Sequence, residues 1–458
     1  MAESSIAGGH RAWTELADRM VHRCAVEAVI WGMPAVNFDL MFQAMVRKTG
    51  GGPNRIIYWS RLPDWQNQTL TPNPDAIYVM PFFDTRDGPV VLEIPPADGG
   101  SITGSVDSCW QTAIEDVGPV GADQGKGGRY LLTPAGYAEP IPDGYIPLPS
   151  ANHQGYALLR SIPTGGGAGD LHAAVAYARK INLYPLAHAA APAPHAFLDA
   201  IDVVFDATIP YDLRFFQALD RIVQAEPWLE RDRAMIDTLR ALGIEKGKRF
   251  DPDTKTAAIL VDAASEAHDW LEAAYERSFV PTYYEDAQWG LPISKDLVEG
   301  MQHDFADPNV YPVESRGLTY SFAFFSAKRF GQGSAYLISI RDKDGALLDG
   351  AQSYRLHVPA RAPVRQYWSL TAYDRQTHAL IREVPWPSRS SNTPGLAANE
   401  DGSVDLWLGP TAPAAGLANW IPTDPKSGFE VMFRLYGPEP AFAEKTWKLP
   451  DVERRAAL

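Results

Sequence analysis

The sequence predicts an α+β, β-rich fold: two antiparallel β-sandwich-like domains with a helical insert between them. Three observations carry this. Short apolar segments recur before residue 165 and again after residue 310. Turn residues, 37 Gly and 38 Pro, punctuate them. The stretch in between changes to helical periodicity. At 458 residues the chain also exceeds one ordinary core, so more than one domain is expected.

Residues 1–54 form the first segment. AWTELADRMVHRCAVEAVIWG spaces its apolar residues as a helix does, and Gly32-Met33-Pro34 is expected to stop it. Residues 55–165 read as a β domain, with strands at Ile56–Tyr58, Val79–Phe83, Val90–Ile94, Ile102–Val106 and Tyr130–Thr133. A glycine-rich loop, GPVGADQGKGGRY, precedes the last. Residues 166–310 are the helical middle. DLHAAVAYARKINLYPLA reads as a helix up to Pro185, followed by helices over Tyr211–Val223, Glu230–Leu242 and Thr254–Glu276. Asp251-Pro252-Asp253-Thr254 supplies capping residues for the last of these. Residues 311–458 return to strands: LTYSFAFFSA, SAYLISI, SYRLHV, RQYWSLTAYD, VDLWLG and FEVMFRLYG. Asp-Gly turns at 344–345, 349–350 and 401–402 separate several of them.

Composition excludes several classes. The net charge of -15 comes with no basic stripe, so no nucleic-acid partner is expected. An acidic surface disfavours anionic membranes. The apolar stretch Cys24–Met45 is interrupted by Glu27, Asn37, Asp39, Gly32 and Pro34, which suits a buried helix and not a membrane span. The N-terminus lacks a basic start followed by an apolar run, so the cytoplasm is the default, or the periplasm or exterior if a leader has been removed. Cys24 and Cys109 cannot form a disulfide framework. The ten histidines make no HxH or HExxH, and no CxxC pair occurs, so no metal site is expected. No GxGxxG, phosphate loop or GxSxG is present, and no cofactor is expected.

Four constellations carry possible chemistry. In TPNPDAIY two prolines fix the backbone, so Asn73, Asp75 and Tyr78 are displayed rigidly at a strand entry. Asx side chains also serve plain turns. Asp107-Ser108-Cys109-Trp110 and Glu115-Asp116 place carboxylates near the glycine-rich loop, where paired acids do acid-base work when their environments differ. YWSLTAYDRQTH ends a strand in His378, a candidate base, and Arg389 follows in PSRSSN as an anion receptor. Arg434 lies in an apolar strand, and Arg316 and Tyr320 read as the start of another; a buried arginine needs a partner, from the chain or from a ligand.

These segments resemble a known family. TPNPDAIY, DGPVVLEIPP, DSCW, EDVGPVGADQGKGGRYLLTPAGY and PDGY are similar to DUF1254 proteins. QYWSLTAYDRQTHALI, SRSSN, DGSVDLWLGPTAP, NWIPT and FEVMFRLYGPE are similar to DUF1214 proteins. The middle segment resembles the linker of two-module members. The resemblance implies two sandwich-like modules, helices between them and homo-oligomers, with no assigned chemistry. Ala76 stands where members of the family commonly carry Thr.

The functional expectation is a cofactor-free hydrolase acting on a small organic substrate at the interface of the two β domains, since ligand sites favour such boundaries. Asp75, Asp116 and His378 are the catalytic candidates. Asn73, Tyr78, Trp110, Arg316, Trp368, Arg389 and Arg434 are the substrate-binding ones. The alternative is a binding protein for a carbohydrate or hydrophobic small molecule, favoured by the 13 Trp, 19 Tyr and 18 Phe. A scaffold whose loops make oligomer contacts is the third reading, and a metal-using oxidoreductase the fourth.

Overall fold

The structure, a computed structural model, describes residues 13–455 except 194, 325, 330 and 415. The reading of the extreme N-terminus as leaderless falls on residues outside these, as does Phe325 of the LTYSFAFFSA run.

The chain opens with helix α1 (Leu16–Thr49). Strands β1 (Arg55–Tyr58), β2 (Asn67–Gln68), β3 (Ile77–Asp84), β4 (Val90–Ile94), β5 (Ile102–Ser108), β6 (Ala113–Val117), β7 (Gly128–Thr133), β8 (Tyr145–Pro149) and β9 (Gln154–Ser161) follow. After α2 (Ala168–Ala178) come β10 (Asn182–Pro185), β11 (Phe197–Asp199) and β12 (Phe205–Asp206). The helical middle holds α3 (Leu213–Ala225), α4 (Met235–Ala241), α5 (Thr254–Arg277), α6 (Lys295–Gln302) and α7 (Val313–Phe322). The last part contains β13 (Ser334–Ser339), β14 (Ser353–Val358), β15 (Trp368–Asp374), β16 (Ser388–Ser390), β17 (Val404–Gly409), β18 (Trp420–Pro422), β19 (Phe429–Tyr436), α8 (Pro440–Ala443) and β20 (Glu453–Arg455).

Each β module is a pair of sheets. In the first, a six-stranded sheet (β11-β1-β3-β9-β5-β6) faces a four-stranded one (β10-β4-β7-β8). Ile77, Val79, Val106, Ala157 and Leu159 from the one meet Val90, Leu92, Tyr130, Leu132 and Leu183 from the other. In the second, β13-β19-β15-β16 faces β18-β17-β14-β20, and Leu337, Leu370, Val431 and Phe433 pack against Tyr354, Leu356, Leu406 and Leu408. Most pairings are antiparallel; β1–β11, β2–β12, β7–β8 and β17–β18 run parallel.

A helical layer separates the two sandwiches. Successive strand residues point to opposite faces, so the other side of the larger first sheet offers Tyr78, Met80, Phe82, Tyr156 and Leu158 to it. There they meet α1, α3, α5 and α7 through Phe38, Met41, Leu219, Leu260 and Tyr320. The outer side of the second module's first sheet presents Tyr336, Ile338, Tyr373 and Met432 to Tyr275, Phe279 and Phe322. β3 and β19 are therefore buried on both faces along their full lengths, which is why they read as continuous apolar runs.

Three expectations are corrected. α1 does not stop at Gly32-Met33-Pro34 but runs through to Thr49, with every residue from Ala28 to Met41 buried. Proline removes the N–H that the Ile30 carbonyl would have received. Tertiary burial sustains the helix across that gap, and α7 crosses there: a Cβ on Gly317 would lie 2.6 Å from the Ile30 oxygen. α1 is long and apolar enough to cross a membrane, yet 83% of its most apolar window is buried in the fold, as in a core helix.

The second correction is α7. LTYSF alternates like a strand, but Val313–Phe322 is a helix, so Arg316 and Tyr320 sit on a helix and the strands begin at Ser334. Its buried residues are Arg316, Gly317, Thr319, Tyr320, Ser321 and Phe322, polar and apolar mixed, so no apolar stripe marks the helical period. Third, DLHAAVAYARKINLYPLA is not helical up to Pro185. Its helix ends at Ala178, and Asn182–Pro185 joins the first sandwich, pairing with β4. The expected cap of α5 holds: the Asp253 carboxylate accepts from the Thr256 N–H at 2.7 Å. Both cysteines are free thiols.

Candidate functional site

The loop between β2 and β3 joins the modules. Its prolines leave Thr71 and Pro72 few backbone partners of their own, and the second module supplies them. The Thr71 N–H donates to the His378 carbonyl at 2.7 Å. The Thr71 carbonyl accepts from Arg434 Nη2 at 2.8 Å, and the Pro72 carbonyl from the Tyr373 hydroxyl at 2.7 Å. Thr71 is held at φ 36°, a costly value for a β-branched residue that these cross-module bonds maintain. Asn73 Nδ2 donates to Tyr367 Oη (2.9 Å) and Tyr436 Oη (2.7 Å), whose rings are stacked with centroids 4.5 Å apart.

Behind this loop lies a cavity between the facing sheets. Tyr78 and Met80 of β3, Leu158 and Arg160 of β9, Tyr336 of β13 and Met432 and Arg434 of β19 line one half. The other half shares Leu158, Arg160 and Tyr336 and adds Ser105, Asp116 and Arg329. Free space is small, about 20 Å³ in the first half and about 60 Å³ in the second. Tyr78 and Arg160 are cross-strand partners, and Arg160 Nε donates to the Tyr78 hydroxyl at 3.3 Å. Among the described residues that is the only side-chain hydrogen bond Arg160 makes, and no carboxylate among them lies within ion-pair distance of Arg160 or Arg434. Arg434 reaches Thr371 Oγ1 (3.0 Å), Tyr373 Oη and the loop carbonyls. Two permanently charged guanidiniums thus border the first half of this partly open space, and their side-chain partners among the described residues are neutral.

The nearby acids do not neutralise them. Asp107 is fully buried with neither carboxylate oxygen hydrogen-bonded; burial, and then the charge of Asp116, push it well above the carboxylate range. Asp75 is raised as well, by burial, against the lowering influence of Ser388 and Arg434. Asp116 accepts from Ser105 Oγ (2.8 Å) and from the backbone N–H groups of Lys328 (3.0 Å) and Arg329 (2.7 Å), which ties these two residues to β6.

His378 sits apart from the cavity lining. Its Nδ1 lies 2.9 Å from Glu430 Oε1 and its Nε2 3.4 Å from Glu272 Oε1. Tyr275 Oη donates to the other Glu430 oxygen at 2.8 Å, and Arg375 pairs with Glu272 at 2.6 Å. Burial works against charging this imidazole, but Glu430 and Glu272 outweigh it and raise its pKa to about 9. Glu272, opposed by burial but held by His378 and Arg375, falls to about 2.

Of the residues singled out from sequence, Tyr78, Asp116 and Arg434 line the cavity, and Asn73 and Asp75 flank it through the loop. The others are elsewhere. Trp110 packs on Trp31 (centroids 4.7 Å) and lends its carbonyl to Arg316, which lies over the Phe305 ring. Trp368 stacks on Phe433 inside the second sandwich. Arg389 lies over Trp386, bonds the Ser388 and Leu417 carbonyls, and is lowered to about 10 by burial. Arg160 and Tyr336 went unread, and Tyr373 and Tyr436, though inside the motifs singled out, were given no place in the site. The signal for Arg160 was an arginine within the apolar run YALLRS, the same signal that picked out Arg434.

This arrangement defines a class: two β-sandwich modules clamped through a helical layer, with a basic, tyrosine-rich cavity between them. The families described as proteins of unknown function DUF1254 and DUF1214 match residues 53–185 and 333–440 respectively, and the chain is a member of the two-module DUF1254/DUF1214 family. Among solved structures it resembles the VPA0106 protein of Vibrio parahaemolyticus, with a TM-score of 0.57 and 16% identity over 95% of this chain and 100% of that one, a likeness of fold. An uncharacterised protein from Burkholderia cenocepacia matches at TM-score 0.43 and 12% identity, over 96% of this chain and 94% of that one. No curated protein matches the chain.

Proposed function

We propose that the protein binds a small organic carboxylate between its two modules, held by Arg160 and Arg434. The observation that carries this reading is the pair of guanidiniums facing one cavity with no anionic partner within ion-pair distance among the described residues. Buried charge is costly unless paired, and a planar guanidinium fork matches a carboxylate. The hydroxyls of Tyr78 and Tyr336 in the same lining give further donors and acceptors.

The geometry favours binding over hydrolysis. A base at neutral pH must be unprotonated and must reach the substrate. His378, at about 9 and enclosed by two glutamates, meets neither condition. Asp116 already accepts three hydrogen bonds. Calorimetric titration with acetate against its neutral isostere acetamide tests the proposal. Acetate is expected to bind the wild type and acetamide not. Arg160→Gln is expected to weaken acetate about 10- to 100-fold, the range for a lost hydrogen bond to a charged group. Equal binding of both probes, or of neither, sinks the reading.

A further inference from the structure

The cavity's size limits what it takes. A water needs about 10–15 Å³ of such space, so the roughly 20 Å³ beside Arg434 admits the head of a ligand and not its body. A body needs room next door. A groove of about 560 Å³ adjoins the cavity, within the usual volume of a small-molecule site. Pro292 walls both spaces, and the consecutive residues Phe322 and Ala323 wall one each. Val280 and Leu291 stand in this groove 77% and 46% exposed, unusual openness for large apolar side chains in a concave site. Its charged lining residues are Lys295, which also pairs with Glu299 at 3.4 Å, and Lys445, which lies over the Tyr283 ring.

A comparable groove of about 550 Å³ lies elsewhere, but it shares no wall residue with the cavity and carries both signs of charge, Glu115, Glu230 and Asp304 beside Arg231 and Lys328. It offers no continuation for a head held at Arg434.

We infer that cavity and groove form one site for an amphipathic carboxylate, its head between Arg160 and Arg434 and its aliphatic chain running past Pro292 over Phe322, Leu291 and Val280. The inference rests on the carboxylate reading and adds the class of ligand. Lysines at the groove attract the anion before it enters, and the apolar walls reward each methylene buried.

The test is calorimetric titration of the full chain with straight-chain carboxylates from acetate to octanoate. Affinity is expected to rise about fourfold per methylene until the groove is filled. Leu291→Asp, at a half-exposed position, is expected to flatten that rise. Arg160→Gln is expected to weaken every member alike. Acetate binding with no gain along the series overturns the inference and leaves the carboxylate reading standing. A gain that Leu291→Asp does not touch also overturns it, because the chain then lies elsewhere. No binding by any member removes both.

Discussion

At the scale of single residues, two buried charge arrangements separate structural from binding roles. The His378 cluster is closed: each imidazole nitrogen has its own carboxylate, and Glu430 is shared with Tyr275. Its effect on stability depends on pH in a fixed direction. The imidazole's pKa rises from 6.5 to about 9 on folding, so its contribution is complete below pH 6.5 and fades as pH rises through about 9. Glu272 falls from 4.5 to about 2, so its contribution is complete above 4.5 and is lost as pH falls through about 2. His378→Gln is expected to cost about 3–5 kcal/mol near pH 6, because it leaves a buried glutamate unpaired. It is also expected to flatten the decline between pH 6.5 and 9.5. Urea midpoints across that range check both; a variant that declines as steeply as the wild type contradicts the assignment. Arg160 and Arg434 form the open arrangement, with neutral partners only. Sequence showed the kind of residue but not this contrast. Glu430 and Arg434 are both single charges in the apolar run FEVMFRLY, and only their neighbours tell which is satisfied.

At the scale of elements, legibility followed how a segment is buried. The sandwich strands were readable from alternation and Asp-Gly turns, and α5 from its Asp253 cap. α7 was not, because its buried positions include Arg316, Thr319 and Ser321 beside Tyr320 and Phe322, so no apolar stripe marks its period. α1 was misjudged at Pro34 because local chemistry predicts a break that packing overrides. The crossing of these two helices gives a direct prediction. Gly317→Ala would set a methyl against the Ile30 carbonyl oxygen at 2.6 Å, so the helices must part. A loss of about 1–3 kcal/mol is expected, the usual cost of overpacking, read from the denaturant midpoint. Wild-type stability would mean that the crossing has slack. The rigid display of Asn73 was visible in the proline spacing of TPNPD, whereas its partners Tyr367 and Tyr436 lie some three hundred residues away and leave no local trace.

At the scale of the whole molecule, the two modules are tied by polar contacts of the 71–73 loop on one side and by the shared helical layer on the other. Asn73→Ala removes one side chain and leaves two buried tyrosine hydroxyls without their donor. It is expected to cost about 1–3 kcal/mol and to lower the second module's transition relative to the first, so that one calorimetric peak broadens or divides. A peak that shifts without broadening would place the coupling in the helices instead. A bound carboxylate touching Arg160 and Arg434 would bridge both modules and narrow the peak again, in wild type and variant alike.

The span of these contacts also bears on how the chain is made. Asn73 and Tyr436 are 363 positions apart, and Asn37, in the first helix, donates to carbonyls at 320 and 323. At synthesis rates of about 5–20 residues per second, roughly 20–70 s pass between the emergence of Asn73 and that of Tyr436. For much of that interval Tyr156, on the outer face of the first sheet, waits for Phe324, whose ring stacks on it with centroids 4.8 Å apart. A ribosome stalled just short of α7 should therefore hold a nascent chain that recruits chaperones, and release of the remaining residues should discharge them.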